Sequence, residues 1–238
     1  MGKFLNDLFL EEGAIFVLWG SKPLSTFPLY LFRDEEMKNL YDQLSEEEKS
    51  QVTIIENYDL PSNWKKWEIF QKDLNIHQFA LFLRETDNPK APEICFVNLL
   101  QTALTLEDHH EIFTKTLGFN FESDQVVSEI QDPHSIFWNK VLQEPLLLGI
   151  LYGFGKHNSL SFHWKHIKEG RINHALNFIF SDARKLGHTN LENFPLPIFA
   201  SFINNDPIIE KYENERRMIK NHYKGKDFVQ LTLEKLQE

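Results

Sequence analysis

Residues 149–166 read GILYGFGKHNSLSFHWKH, three glycines followed by three histidines. Letters of this kind can write a phosphate-binding loop or a metal centre. A phosphate loop needs G-x-x-x-x-G-K-[ST], so that backbone N–H groups, a lysine and a hydroxyl converge on one phosphate chain. Here Lys156 is followed by His157, which removes the hydroxyl, and an apolar helical stretch precedes the glycines where a strand is required. The dinucleotide fingerprint fails as well, because its glycine spacing is reversed. Gly153 and Gly155 therefore read as the stop of one helix, with Asn158 capping the next.

The histidines carry a different chemistry. His163 and His166 are spaced i, i+3, which brings two imidazoles to neighbouring positions on a helix. With His157 or His174 they form a candidate metal set of His163, His166 and His157, the core of a metal-assisted hydrolase reading. Zinc proteases space such a pair at i, i+4 with an intervening Glu, and HWKH has neither feature. Leu160, Trp164 and Ile167 form the expected buried stripe, which leaves His163 and His166 beside it in a structural or exposed role.

Other candidates are thinner. Glu107 and His110 are spaced as Glu-x-x-His, the ligand pair of di-iron bundles, but only one copy is present. The plainer reading puts Glu107 and Asp108 at a helix N-terminus, where they complement the dipole. GSKP (20–23) follows an apolar run, yet it turns into proline instead of the helix that a nucleophile elbow needs. The single cysteine, Cys95, sits in the apolar run ICFVN and behaves as a small buried hydrophobe. Paired carboxylates such as Glu11 and Glu12 lie on polar segments with nothing to separate their pKa values. No catalytic constellation is complete, and no cofactor is called for.

The elements that would position these groups follow from patterning. Residues 3–10 predict a short helix ended by Gly13. AIFVLWG (14–20), PLYLF (28–32) and VTIIEN (52–57) read as strands. Helices are expected over 34–44 and 46–50, and from an N-cap at Ser62 with Trp64, Trp67, Ile69, Phe70 and Leu74 on one face. HQFALFLRE (77–85) and EICFVNL (93–99) predict an antiparallel hairpin with a long, proline-bearing connection. Helices follow at 98–105, 106–117, 123–131, 134–143, 145–155, 158–169 and 171–186. NFPLPIFASF (193–202) reads as irregular or edge-strand, since its prolines remove ladder donors. Asp206 caps a helix with Pro207 at its first position, Gly225 breaks it, and a last helix closes the chain. The fold class is α+β, with strands mainly in the first ~100 residues and helices afterwards. With no linker and no internal repeat, residues 1–238 read as a single domain, with a strand-rich layer over 1–100 and a helical one over 101–238.

Composition bounds the function. The chain has 238 residues, 21 of them Phe, so ring packing must dominate its core. The net charge of -10 argues against a nucleic-acid partner, which selects for a basic face. The cluster Lys165, His166, Lys168 and Arg171 reads as a solvated helix end. The rings interleaved with bases in NWKKW and FHWKH read as core, not as stacking platforms for nucleic-acid bases. The longest apolar run, PLLLGILYGFG, has 11 residues, short of a membrane span. The start of the chain carries no signal-peptide pattern, so an exported or envelope location requires a leader already removed. The terminal segment from Tyr212 to Gln237, with Tyr212, Ile219 and Tyr223 on one side, is expected to dock on its own domain.

GSKP, LLLGILYGFGKHNSLSF, FPLPIFASF and KGKDFVQLTLEKL together resemble uncharacterised proteins of chlamydia-like intracellular bacteria, a resemblance spanning most of the chain. It implies a bacterial protein and is compatible with export. It transfers no functional residue, because none of the four stretches is a catalytic motif and the family carries no established activity. The expected function is therefore a non-enzymatic binding or envelope-associated protein that recognises another macromolecule, most simply a protein. The alternative is the histidine-dependent hydrolase.

Overall fold

A computed structural model of the chain describes residues 2–11, 13–29, 42–43, 45–46, 60–86, 92–164, 177–178 and 189–238. Helix α1 (Gly2–Asn6) continues as a π turn (Asp7–Glu11), and Gly13, at φ 75°, turns the chain into α2 (Ile15–Leu18). Then come β1 (Leu24–Pro28), α3 (Leu60–Phe70), β2 (Phe79–Arg84) and β3 (Glu93–Asn98). A helical run follows: α4 (Leu99–Asp108), α5 (His110–Leu117), α6 (Ser123–Ser128), α7 (Ile136–Val141), α8 (Pro145–Leu151) and α9 (Lys156–Phe162). The short strands β4 (Asn177–Phe178) and β5 (Ala200–Ser201) pair with each other, and α10 (Pro207–Tyr223) and α11 (Phe228–Leu236) end the chain. This is an α+β arrangement, with the larger sheet built from the first hundred residues.

That sheet is antiparallel in the order β1–β3–β2, with Ser25 opposite Phe96 and Leu81 opposite Phe96 across the centre. The expected hairpin is present at Phe79–Arg84 and Glu93–Asn98. Because side chains alternate along a strand, Phe27, Phe79, Leu81, Ile94 and Phe96 enter one core, and Leu24, Ala80 and Val97 enter another. The first core takes α1, α2, the two tryptophans of α3, and α10 with α11. The second takes α4 to α8. Both faces of β3 are thus covered, which explains its unbroken apolar run Ile94–Val97. Ring pairs fill the first core: Phe9 meets Phe96 edge-on at 5.2 Å, and Phe16 meets Tyr212 edge-on at 5.4 Å.

Several expectations are corrected. Residues 15–18 form a helix, not a strand. Every residue of Ala14–Leu18 is buried, and an apolar run covered on all sides carries no period that separates strand from helix. Helix α3 begins at Leu60 instead of being capped by Ser62, with Pro61 at its start where a missing N–H costs nothing. Trp64 and Trp67 are buried, but Ile69 is 71% exposed. Glu107 and Asp108 lie in the last turn of α4, not in the first turn of the next helix. The residues buried on α9 are Asn158 and Ser159, whereas Leu160 and Trp164 are 40% and 60% exposed. The strand, helix and patch readings at 30–41, 47–57, 165–176 and 179–186 fall outside the described residues, as does Ile167, whereas Asn177–Phe178, inside the helix expected over 171–186, form a strand paired with Ala200–Ser201.

Asp206 and Pro207 begin α10 as expected, the Asp206 carboxylate accepting the Ile208 N–H. Tyr212, Ile219 and Tyr223 are all buried in the first core, so the C-terminal helices dock on their own chain.

Candidate functional site

The glycine run between α8 and α9 is a bend held by α10. Gly153 and Gly155 have φ of 75° and 79°, and at Gly155 the ψ of 150° completes a conformation open almost only to glycine. The Tyr212 hydroxyl donates to the Gly153 carbonyl at 3.0 Å, and a Cβ at Gly153 would overlap that hydroxyl. Asn158 sits inside α9, where it does not cap the helix; Gly155 holds the N-cap position. Its amide donates to the Phe154 carbonyl (3.0 Å) and to Asp206 Oδ2 (2.7 Å), while its oxygen accepts the Phe202 N–H (3.1 Å). Ser201 donates to the same Asp206 Oδ2 at 2.6 Å, and Asp206 Oδ1 accepts from Ile208 at 2.9 Å. All three side chains are at most 3% exposed. This is a latch tying the bend, β5 and the start of α10 together.

The GSKP turn is likewise taken up by structure. Ser21 donates its N–H (3.2 Å) and its hydroxyl (2.6 Å) to Glu215 Oε1. Gly20 leaves room for that carboxylate, since a Cβ there would overlap Oε2. Burial holds the Lys211 ammonium below the ordinary lysine range, opposed by the charge of Glu215 one turn along α10. Ser21 anchors the Glu215 carboxylate through both its N–H and its hydroxyl.

Between these two clasps lies a cleft of about 250 Å³. Its walls come from four places distant in sequence: Gly13, Lys22 with Ser25–Phe27, Tyr152 with Phe154, and the proline loop Pro195–Ile198. Ser25 and Thr26 point to opposite faces of the sheet, yet both line the cleft, and no β3 residue does. The cleft therefore runs along the edge of β1 that is turned away from β3. Hydrogen bonds fix which backbone groups face it. Asn98 donates to the Pro23 carbonyl (2.8 Å) and Leu29 donates to the Pro92 carbonyl (2.7 Å). In an antiparallel ladder alternate residues then point away, so Leu24 and Thr26 direct N–H and C=O outward. Pro28 also faces outward but has no N–H to offer.

The polar groups of the cleft are unequally satisfied. The Thr26 and Tyr152 hydroxyls share a 2.6 Å hydrogen bond. Burial pushes the Tyr152 phenol up to about 12, so it stays neutral at physiological pH. The Lys22 ammonium lies 5.8 Å from the Tyr152 ring centroid. Ser25 is 1% exposed, and its hydroxyl has no hydrogen-bond partner among the described residues. Among the described residues Lys22 is the charged group of the lining, and it is buried. The lining holds no histidine among the described residues. Cys95, opposite Thr26 in the ladder, is buried, and burial pushes its thiol up to about 12, as befits an inert core residue.

The structure does not gather the sequence-predicted ligands into a metal centre among the described residues. His157 is exposed on α9 and lies 3.5 Å from the Ser161 hydroxyl. His163 Nδ1 lies 3.2 Å from Glu144 Oε1 without hydrogen-bonding alignment. His166 and His174 lie outside the described residues. Glu107 and His110 do share a hollow of about 320 Å³ with Glu122 and Asp124. There the His110 ring packs on Phe121 at 4.6 Å and its Nε2 is 3.0 Å from the Phe121 carbonyl oxygen, a structural use of the imidazole. The residues that sequence reading missed are Lys22, Ser25, Thr26 and Tyr152. The available signal was a hydroxyl pair, Ser25–Thr26, set between prolines 23 and 28 in an otherwise apolar segment, the composition of an edge strand. No protein-family model, curated protein or solved structure matches the chain.

Proposed function

We propose that this chain is a non-enzymatic binding protein that receives an extended segment of a partner protein at the edge of β1 that no strand covers among the described residues. The observation that carries the reading is the cleft beside Thr26, where outward backbone groups, aromatic walls and a proline loop meet. An edge strand offers a row of main-chain donors and acceptors, and side-chain pockets beside it add selectivity. Size points the same way. Small-molecule pockets occupy about 300–1,000 Å³, and this cleft, at about 250 Å³, suits a short piece of a larger ligand. Among the described residues the lining holds no histidine and no paired acids, and the histidine set forms no metal centre.

The test uses the direction of the Thr26 N–H. Peptides selected from displayed random dodecamers are compared on the wild type, Thr26→Pro and Thr26→Val. Thr26→Pro removes the outward donor and leaves the ladder to β3 intact, whereas Thr26→Val removes only the hydroxyl bond to Tyr152. Binding is expected to fall at least about tenfold with Thr26→Pro, the equivalent of one hydrogen bond of about 1.4 kcal/mol, and to change little with Thr26→Val. Selected peptides that bind Thr26→Pro as tightly as the wild type, or a selection that enriches none, would overturn the proposal.

A further inference from the structure

We infer that the segment received at β1 carries a threonine or serine where it passes Ser25, and that the Ser25 hydroxyl selects it; this rests on the edge-binding reading above. The ladder phase fixes the position. Ser25 lies opposite Phe96 and directs its own N–H and C=O to β3, while Leu24 and Thr26 on either side turn theirs outward. The sheet is antiparallel throughout, and a segment that continues this pairing exchanges main-chain hydrogen bonds with Leu24 and Thr26. The residue between those two contacts then faces Ser25 in a non-hydrogen-bonded pair. In such pairs the Cα atoms are about 4.5 Å apart and the side chains are closest. Both side chains stand on the same face of the sheet, so they meet whatever the rest of the segment does.

The chemistry follows from what Ser25 lacks. It is 1% exposed, and its hydroxyl has no hydrogen-bond partner among the described residues. A buried polar group left unmatched costs free energy, and a neighbour that bonds to it recovers that cost. A serine hydroxyl is both donor and acceptor and turns among three staggered rotamers, so it adjusts to a new neighbour. Paired hydroxyls across adjacent strands are one of the side-chain pairs that stabilise sheets. The surroundings on this face are apolar. Phe27 shares it with Ser25, and Phe154 and Leu196, which line the cleft, pack against the core on that side. Threonine suits both demands, with a hydroxyl for Ser25, a methyl for the apolar wall and a β-branch that favours the extended chain.

The flanking positions make no such demand. Thr26 stands on the other face, and its hydroxyl is already bonded to Tyr152 at 2.6 Å. Selection for a hydroxyl therefore falls on one residue of the segment, and the residues before and after it are free of it.

The experiment takes the tightest dodecamer selected on the wild type and replaces each of its threonines by valine and each serine by alanine, one at a time. One replacement is expected to weaken binding to the wild type at least about fivefold, the loss of one neutral hydrogen bond. The same replacement is expected to change little on Ser25→Ala and to cost as much on Thr26→Val as on the wild type, which assigns the coupling to Ser25. Unchanged far-ultraviolet circular dichroism checks the folding of Ser25→Ala. A tightest peptide without threonine or serine, one that loses nothing on any replacement, or one that loses as much on Ser25→Ala as on the wild type overturns the inference. Thr26→Pro then separates the two proposals. If it weakens that peptide tenfold, the edge reading stands alone; if it does not, both fall. The peptide replacements on the wild type need no protein variant, so a poorly folding Ser25→Ala still leaves the inference open to refutation.

Discussion

Two buried polar clusters flank the glycine bend, and they differ in one respect. Around Asp206 every side-chain hydrogen-bonding group is matched: the carboxylate takes Asn158, Ser201 and the Ile208 N–H, and the Asn158 oxygen takes Phe202. Around Ser25 the hydroxyl is buried and unmatched. Burying polar groups costs stability unless they are paired, so a saturated cluster needs nothing more and works as a clasp. An unsaturated one at the wall of a cleft keeps capacity for a group from outside. The difference marks Ser25 as a buried hydroxyl at the cleft wall that no described group satisfies.

Breaking the clasp should have the largest effect. Asp206→Ala leaves the Asn158 amide, the Ser201 hydroxyl and the first turn of α10 short of an acceptor, and should lower the unfolding free energy by about 3 kcal/mol or more. Urea denaturation followed by circular dichroism measures it, and an unchanged midpoint would show that the latch contributes nothing. Next comes the bend. Gly153→Ala must accept a positive φ and displace the Tyr212 hydroxyl, at a cost of about 2 kcal/mol. A smaller loss in a Tyr212→Phe background would confirm that the overlap is with that hydroxyl. The smallest effect has the opposite sign. Ser25→Ala removes a buried hydroxyl that has no partner among the described residues and should raise stability by about 1 kcal/mol. A loss of stability would mean that Ser25 already has a partner, and the contrast between the two clusters would disappear.

Much of the fold was legible where local chemistry decides it. The hairpin of β2 and β3, the Asp206–Pro207 start of α10, the break at Gly225 and the bend at Gly153 and Gly155 all follow from turn and cap residues acting over a few positions. Misreadings occurred where burial surrounds an element. Residues 15–18 are covered on every side and lose the period that marks a strand or a helix. In α9 the spacing of Leu160 and Trp164 predicts an apolar buried face, but the helix turns Asn158 and Ser159 inward. Its partner there is the Asp206 carboxylate, 48 residues further along the chain.

The candidate site was not legible. Lys22, Ser25 and Thr26 are unremarkable in GSKPLST, and Tyr152 lies among the very glycines that suggested a phosphate loop. Their relation depends on β1 being an edge strand and on its ladder phase, neither of which is encoded within one segment. By itself the sequence determined the α+β class, the ring-packed core and the local stops and caps, because these depend on side-chain type and near-neighbour spacing. Only the tertiary structure decided which polar groups are saturated and which edge of the sheet is left uncovered among the described residues. Those properties belong to contacts such as Thr26 with Tyr152 and Asn158 with Asp206, and hydrogen-bond satisfaction is counted across the whole fold.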